Sequence, residues 1–304
     1  MPEEVFPKEL ENIVTRHNRN PIISIEDVPF ACSYIFNAGA IKHENKYYLL
    51  LRIQDRQMRS HLTLATSNDG IDFEIEDNYI FSPSREDPLD DKGVEDPRIT
   101  KFGDEYYVTY TAYSSYGASV GLAETKDFKN FKRLGIIFSP EDKDVVLLPE
   151  KIDGKYFLYH RPTTSNSMFI ARSPDLEHWG EHKPVLKPAS LSWDADKVGA
   201  GAVPIKTEKG WLHIYHGTSG GVYRLGVALF DLKDPSKLIR RSQNYILAPE
   251  EDYEMMGGVP NVVFTCGAIL EEDGEVKIYY GAADTSICLA TAKLDDLIKM
   301  AENY

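Results

Sequence analysis

Pro97-Arg98-Ile99-Thr100-Lys101-Phe102-Gly103-Asp104-Glu105-Tyr106-Tyr107 is the stretch that decides the fold. It reads as a strand, a polar Gly-Asp turn and a second strand rich in aromatic residues. The pattern recurs at Gly39–Leu49, Pro149–Phe157, Val203–Leu212 and Ala268–Ile278. A companion half-unit has the form Ala-x-Ser/Thr-x-Asp-x-x-x-aromatic. It runs from Ala65 to Phe73, from Ala123 to Phe131 and from Ala171 to Trp179, with looser versions at Leu225–Leu232 and Cys288–Leu294. Helical periodicity is confined to Pro7–Thr15 and the tail Leu294–Asn303. Units of roughly 50–65 residues match propeller blades of about four strands, whereas solenoid repeats are shorter and more uniform. The sequence therefore predicts an all-β chain: a five-bladed β-propeller with short N- and C-terminal helical segments, a single domain over residues 1–304. Residues 1–30 precede the first unit and are placed to add a strand that closes the ring against the last.

The charge balance narrows the partners. Lys and Arg number 34 against 48 Asp and Glu, a net −14, which argues against nucleic acid and anionic membrane surfaces. An anionic substrate would need a local basic pocket set against that field. Cys32, Cys266 and Cys288 are few, odd in number and far apart, as reduced core thiols would be. The acidic start Met1-Pro2-Glu3-Glu4 has no apolar run behind it, so no signal peptide and a cytoplasmic location are expected. His213 and His216 look like a ligand pair, but residues three apart on a strand point to opposite faces, so no metal site is expected.

Ligands of such a fold converge where the first strands of all units meet, so the polar residues flanking those strands are the candidates. In order they include Asn37, Arg52, Asp55 and Arg59; Glu95, Asp96 and Arg98; Lys151, His160 and Arg161; Lys197, His216, Tyr223 and Arg224; Asn261 and Asp284. Asp96 stands out: the following proline biases it to an extended backbone, and Pro97 suits the first position of a strand better than its middle. His160, Arg161 and Lys197 lie in otherwise apolar or glycine-rich contexts, Leu158–Pro162 and Asp196–Gly201. A convergent Lys/Arg/His/Tyr group in an acidic protein is what a phosphate site needs, Arg as a fork and Lys as a point charge.

Five ordered motifs carry a family resemblance: Phe36-Asn37-Ala38-Gly39-Ala40, Glu95-Asp96-Pro97-Arg98, His160-Arg161-Pro162, Lys197-Val198-Gly199-Ala200-Gly201 and Ile214-Tyr215-His216-Gly217. With them the chain resembles glycoside hydrolase family 130, the five-bladed β-mannoside phosphorylases and related β-mannosidases. The resemblance implies Asp96 as general acid, acting through the mannose 3-hydroxyl. It implies Lys151, Arg161, Lys197, His216 and Tyr223 as phosphate ligands, and Asn37, Arg52, Arg59, Glu95 and Asp284 around the sugar. Inorganic phosphate would be a co-substrate and no cofactor is implied. The expected reaction is phosphorolysis of a β-mannoside with inversion, giving α-mannose 1-phosphate. The wording around Phe36 and Ser60 is closer to members acting on β-1,2-linked mannobiose or oligomannan. β-1,4-linked mannosyl-glucose or mannooligosaccharide is the alternative linkage, and an inverting hydrolase or a non-catalytic glycan-binding propeller the alternative class. A homo-oligomer is compatible with this reading.

Overall fold

The structure is a computed structural model that describes residues 13–84 and 86–302. Nearly every element is a strand, and the strands fall into five antiparallel groups that follow the sequence repeats. Group one holds Tyr34–His43, Lys46–Gln54, Ser60–Ser67 and Glu74–Ile75. Group two holds Gly93–Phe102, Glu105–Ser114, Gly117–Thr125 and Phe131–Phe138. Group three holds Asp142–Leu147, Tyr156–Pro162, Met168–Ser173 and Gly180–Leu186. In group four, Lys197–Ala200 and Ile205–Thr207 both pair with Gly210–Ser219, followed by Val222–Phe230 and Leu238–Arg241. Group five holds Val263–Leu270, Glu275–Ala282 and Ser286–Lys293. Groups one and two join into one sheet through the single parallel pair Ser60–Gly93.

The fourth strand of group five comes from the other end of the chain. Thr15–Arg16 pairs with Ala290 and Thr291. Asn20 extends the seam, its amide donating to the Leu289 carbonyl while its carbonyl oxygen accepts from the Leu289 N–H. Most of the helix expected over Pro7–Thr15 lies outside the described residues, and its last residue, Thr15, begins this strand. The tail forms the expected helix, Leu294–Glu302, which buries Leu297, Met300 and Ala301.

Apolar packing follows the order of the groups and then returns to its start. Leu50, Leu64, Ile99 and Val108 pack groups one and two together, and Leu122, Leu147 and Leu158 pack two and three. Tyr159, Met168, Trp211 and Phe230 fill the space between three and four, and Leu212, Val227, Val263 and Ile278 that between four and five. Ile35, Leu49, Tyr279 and Leu289 then join five back to one. Each group buries both faces, because burial of its inner and outer apolar positions is the dominant favourable term for sheets of this size.

The Ala-x-Ser/Thr-x-Asp motif proves to be a turn device. Ser67, Thr125 and Ser173 accept backbone N–H groups two and three residues on, and Asp69, Asp127 and Asp175 do the same for the next two. These are side-chain mimics of a backbone turn. The backbone donors favour the ionised carboxylates and bring Asp69 and Asp127 down to about 2. The alanine that opens each motif is buried.

Candidate active site

The first strands of groups one, two and three share a local distortion. Each pairing register slips once: between Phe36 and Gly39, between Glu95 and Arg98, and between Lys143 and Val146. In each slip one short polar residue takes a left-handed backbone: Asn37 at φ 50°, Asp96 at 49° and Asp144 at 52°. These are bulges, which re-aim a side chain out of the pleat. Asn and Asp tolerate the left-handed region better than most residues because their side chains are short and polar. Asp96 is therefore not extended, as the proline after it suggested. Pro97 is not at a strand start either: it sits inside Gly93–Phe102, where the bulge leaves its missing N–H without a ladder partner to fail.

All three re-aimed side chains enter one pocket. Its walls are Asn37, Arg52, Asp96, Lys143, Asp144, Arg161, His216, Tyr223, Val259, Val262, Phe264 and Asp284, and it encloses about 140 Å³.

On one wall, Asp96 is 4% exposed. Its Oδ1 accepts from Asn37 Nδ2 at 2.9 Å and from Arg52 Nη1 at 2.8 Å. Arg52 Nη2 donates to Glu95 Oε1 at 2.6 Å, and Ser60 Oγ donates to the same oxygen at 3.0 Å. The Arg52 guanidinium lies 4.2 Å from the Phe36 ring centre, which fixes its plane. Burial opposes ionisation of Asp96, but the charges of Arg52, Lys143 and Arg98 and the Asn37 amide outweigh it and hold the carboxyl below its ordinary range. Arg98, fully buried, gives its guanidinium to three backbone carbonyls, those of Asp96, Ala200 and Gly201. It thereby ties groups two and four together directly behind the acid.

On the opposite wall, Asp144 Oδ2 accepts from Arg161 Nε at 2.6 Å and lies 3.3 Å from His216 Nε2. Lys197 Nζ donates to the Tyr223 hydroxyl at 2.5 Å. Burial, with the neighbouring Arg161 charge, lowers the Lys197 ammonium to about 8, so it stays mostly charged at neutral pH. Asp284 closes the pocket between the walls. Burial raises its carboxyl to about 6, against the pull of Arg52.

Of the residues singled out from sequence, Asn37, Arg52, Asp96, Arg161, His216, Tyr223 and Asp284 line the pocket. Lys197 reaches it through Tyr223, and Glu95 stands behind Arg52. Of the residues to which the resemblance assigns a role, two do not converge. Arg59 is half exposed and committed to Asp55, whose carboxylate also accepts the N–H groups of Gln57 and Arg59 and so knots the loop before Ser60. Lys151 is exposed, with its ammonium 4.1 Å from the Tyr156 ring centre. The chain from the pocket to Lys151 runs eight residues away, up to roughly 25 Å when extended. Lys143 occupies the place expected for Lys151. Its signal was present in Asp142-Lys143-Asp144, just ahead of the apolar run Val145–Leu148, in the same register as Glu95-Asp96. His213 faces Tyr159 in the core between groups three and four, away from His216, so the two rings do not share a ligand. His160 is buried on Asp142 at 2.7 Å, and Arg224 lies over Tyr245.

A carboxyl facing a cluster of cations within one small pocket suits acid catalysis with an anionic nucleophile, and comparison with known proteins agrees. The sequence model of glycoside hydrolase family 130, described as beta-1,4-mannooligosaccharide phosphorylase, matches residues 8–303. The chain belongs to glycoside hydrolase family 130. It is an enzyme of the phosphorylase type, a β-mannoside phosphorylase. Among its relatives, a beta-1,2-mannobiose phosphorylase of Thermoanaerobacter sp. (strain X514) is 42% identical over 295 residues, covering 91% of this chain and 96% of the relative. A beta-1,4-mannooligosaccharide phosphorylase of Ruminococcus albus is 33% identical over 321 residues, covering 100% of this chain and 95% of the relative. The solved structure of the beta-1,2-mannobiose phosphorylase from Listeria innocua in complex with beta-1,2-mannobiose superposes with a TM-score of 0.89 at 32% identity, covering 96% of this chain and 99% of that one.

Proposed function

We propose that the enzyme catalyses inverting phosphorolysis of β-1,2-linked mannobiose and short β-1,2-mannooligosaccharides, releasing α-mannose 1-phosphate and a shortened acceptor. The observation that carries the reaction is the facing of Asp96 by Lys143, Arg161, His216 and Tyr223 across one pocket. An inverting hydrolase needs a second carboxylate to activate water. Phosphate is already a nucleophile, so a cationic cradle that positions it and offsets its charge takes the place of that base. Asn37, Arg52, Glu95 and Asp284 then surround the sugar at the cleavage point, and Asp96 supplies the proton to the departing oxygen through the mannose 3-hydroxyl. Without phosphate the cations hold Asp96 ionised. A phosphate dianion on Lys143 cancels part of that field, which favours the protonated acid at the moment it is needed.

The preference for β-1,2 over β-1,4 linkage rests on the 42% against 33% identity of the two relatives described above and on the fit to the β-1,2-mannobiose complex. We further read the five groups as five blades of one propeller, closed by Thr15–Arg16, with the pocket at the end of the axis where the first strands meet.

The test is incubation with β-1,2-mannobiose and, separately, β-1,4-mannobiose, each with and without inorganic phosphate, following mannose 1-phosphate and free mannose. Phosphate-dependent mannose 1-phosphate from the β-1,2 disaccharide is expected. Free mannose without phosphate would overturn the reaction, and faster turnover of the β-1,4 disaccharide would overturn the linkage.

A further inference from the structure

We propose that Asp144 makes the anion cradle selective for an oxyanion that brings its own proton: hydrogen phosphate donates its P–O–H to Asp144, which a fully deprotonated tetrahedral dianion such as sulfate cannot do. The inference rests on the phosphate reading of the pocket and adds a specificity residue to it.

A cradle for a pure acceptor would be built of donors alone. This one is not. Asp144 lines the pocket and is 1% exposed. Its Oδ2 is occupied by Arg161 and His216, but its Oδ1 has no donor among the described residues. The Arg161 and His216 interactions hold the carboxyl well below its ordinary range despite burial, so Oδ1 is a permanent acceptor. His216 adds a second acceptor. Burial lowers its imidazole, and with the Nε2 proton directed at Asp144 the neutral ring leaves Nδ1 as a lone pair without a partner. Two buried acceptors therefore stand without a donor on residues that line the pocket together with Lys143 and Arg161.

Buried acceptors left unpaired are costly, and a carboxylate against a bare dianion is repulsive as well. Hydrogen phosphate relieves both at once: its unprotonated oxygens take the cations and its hydroxyl pairs with the carboxylate. Asp144 has little room to turn aside. Its backbone is held in the left-handed bulge, and a Cβ at Gly199 would lie 2.5 Å from its Oδ2, so the carboxylate packs where a side chain at that position would stand.

The experiment is titration calorimetry of the intact enzyme at pH 7.5 with phosphate, sulfate and monofluorophosphate, the last a tetrahedral dianion with fluorine in place of the hydroxyl. Phosphate is expected to bind about 100-fold more tightly than either of the others. In Asp144→Asn, whose amide can donate, the preference for phosphate over sulfate is expected to shrink to about tenfold or less. Binding of all three anions by the wild type within about threefold would overturn the inference while leaving the phosphate site intact. Equal weakening of phosphate and sulfate in Asp144→Asn would also overturn it, since that is the mark of a purely structural carboxylate. Failure of the wild type to bind phosphate at all would overturn the phosphate site and this inference together. The monofluorophosphate arm needs no substitution, so it decides the question even if Asp144→Asn does not fold.

Discussion

The two walls of the pocket are assembled from the same parts and reach opposite electrostatic outcomes. On the acid wall, Asp96 sits in a left-handed bulge and accepts from Arg52, a residue of the second strand of group one. On the cradle wall, Asp144 sits in the same kind of bulge and accepts from Arg161, a residue of the second strand of group three. Arg52 pairs across the ladder with Phe36, and Arg161 pairs with Lys143. The residue preceding each bulge makes the difference: Phe36, Glu95 and Lys143 in groups one, two and three. Glu95 turns Arg52 inward on the acid wall and consumes its charge, whereas Lys143 adds a cation that no carboxylate fully offsets. One scaffold thus carries a carboxyl held by Arg52 on one wall and a cation-rich group on the other, and the residue before each bulge contributes to the difference.

The sharpest way to break this comparison is Asp96→Asn. We expect turnover to fall by about a thousandfold or more, with phosphate KM nearly unchanged, measured by mannose 1-phosphate release. A collapse of phosphate affinity instead would mean that the walls do not work separately. Next in size is the cradle. Lys143→Met should raise phosphate KM by about 10- to 100-fold, while Lys151→Met should leave it unchanged, because only Lys143 lines the pocket. The reverse ranking would return the role to Lys151.

Asp284, between the walls, gives a third and smaller effect. Its carboxyl rises from 3.8 to about 6 on folding, chiefly through burial. The folded state therefore favours the proton. That contribution is fully present below pH 3.8 and is lost as pH rises through 6. Asp284→Asn should then be more stable than the wild type at pH 7.5, by on the order of 1–2 kcal/mol, and equal to it at pH 3.5. Thermal melts at the two pH values check this, and identical melts at pH 7.5 would show that the wild-type carboxylate is ionised at no cost. The smallest effect belongs to Arg59→Ala, expected to change kcat/KM by less than about twofold because the exposed guanidinium serves Asp55. A tenfold loss in steady-state kinetics would place Arg59 at the substrate after all.

The sequence by itself determined the repeat, and with it the five strand groups, because period-two alternation and the Ser/Thr-x-Asp turns are local chemistry that needs no partner to be read. It determined much of the pocket for the same reason: Asn37 and Asp96 sit at matching places in their repeats, and so do Arg52 and Arg161. Tertiary structure decided the rest. Lys143 and Lys151 are both lysines in the third repeat; the match of Lys143-Asp144 to Glu95-Asp96 favours the first, but the bulge at Lys143 and the course of the strand away from it decide between them. The backbone of Asp96 was misread because the proline rule describes a free dipeptide, whereas the ladder on either side of the slip imposes the left-handed turn. Arg59 was lost to Asp55 within its own loop, and Asp144 gained its place from Arg161 on the neighbouring strand and His216 in the next group. Which charge faces which depends on distances across the pocket, and those exist only once the groups have packed into their circuit.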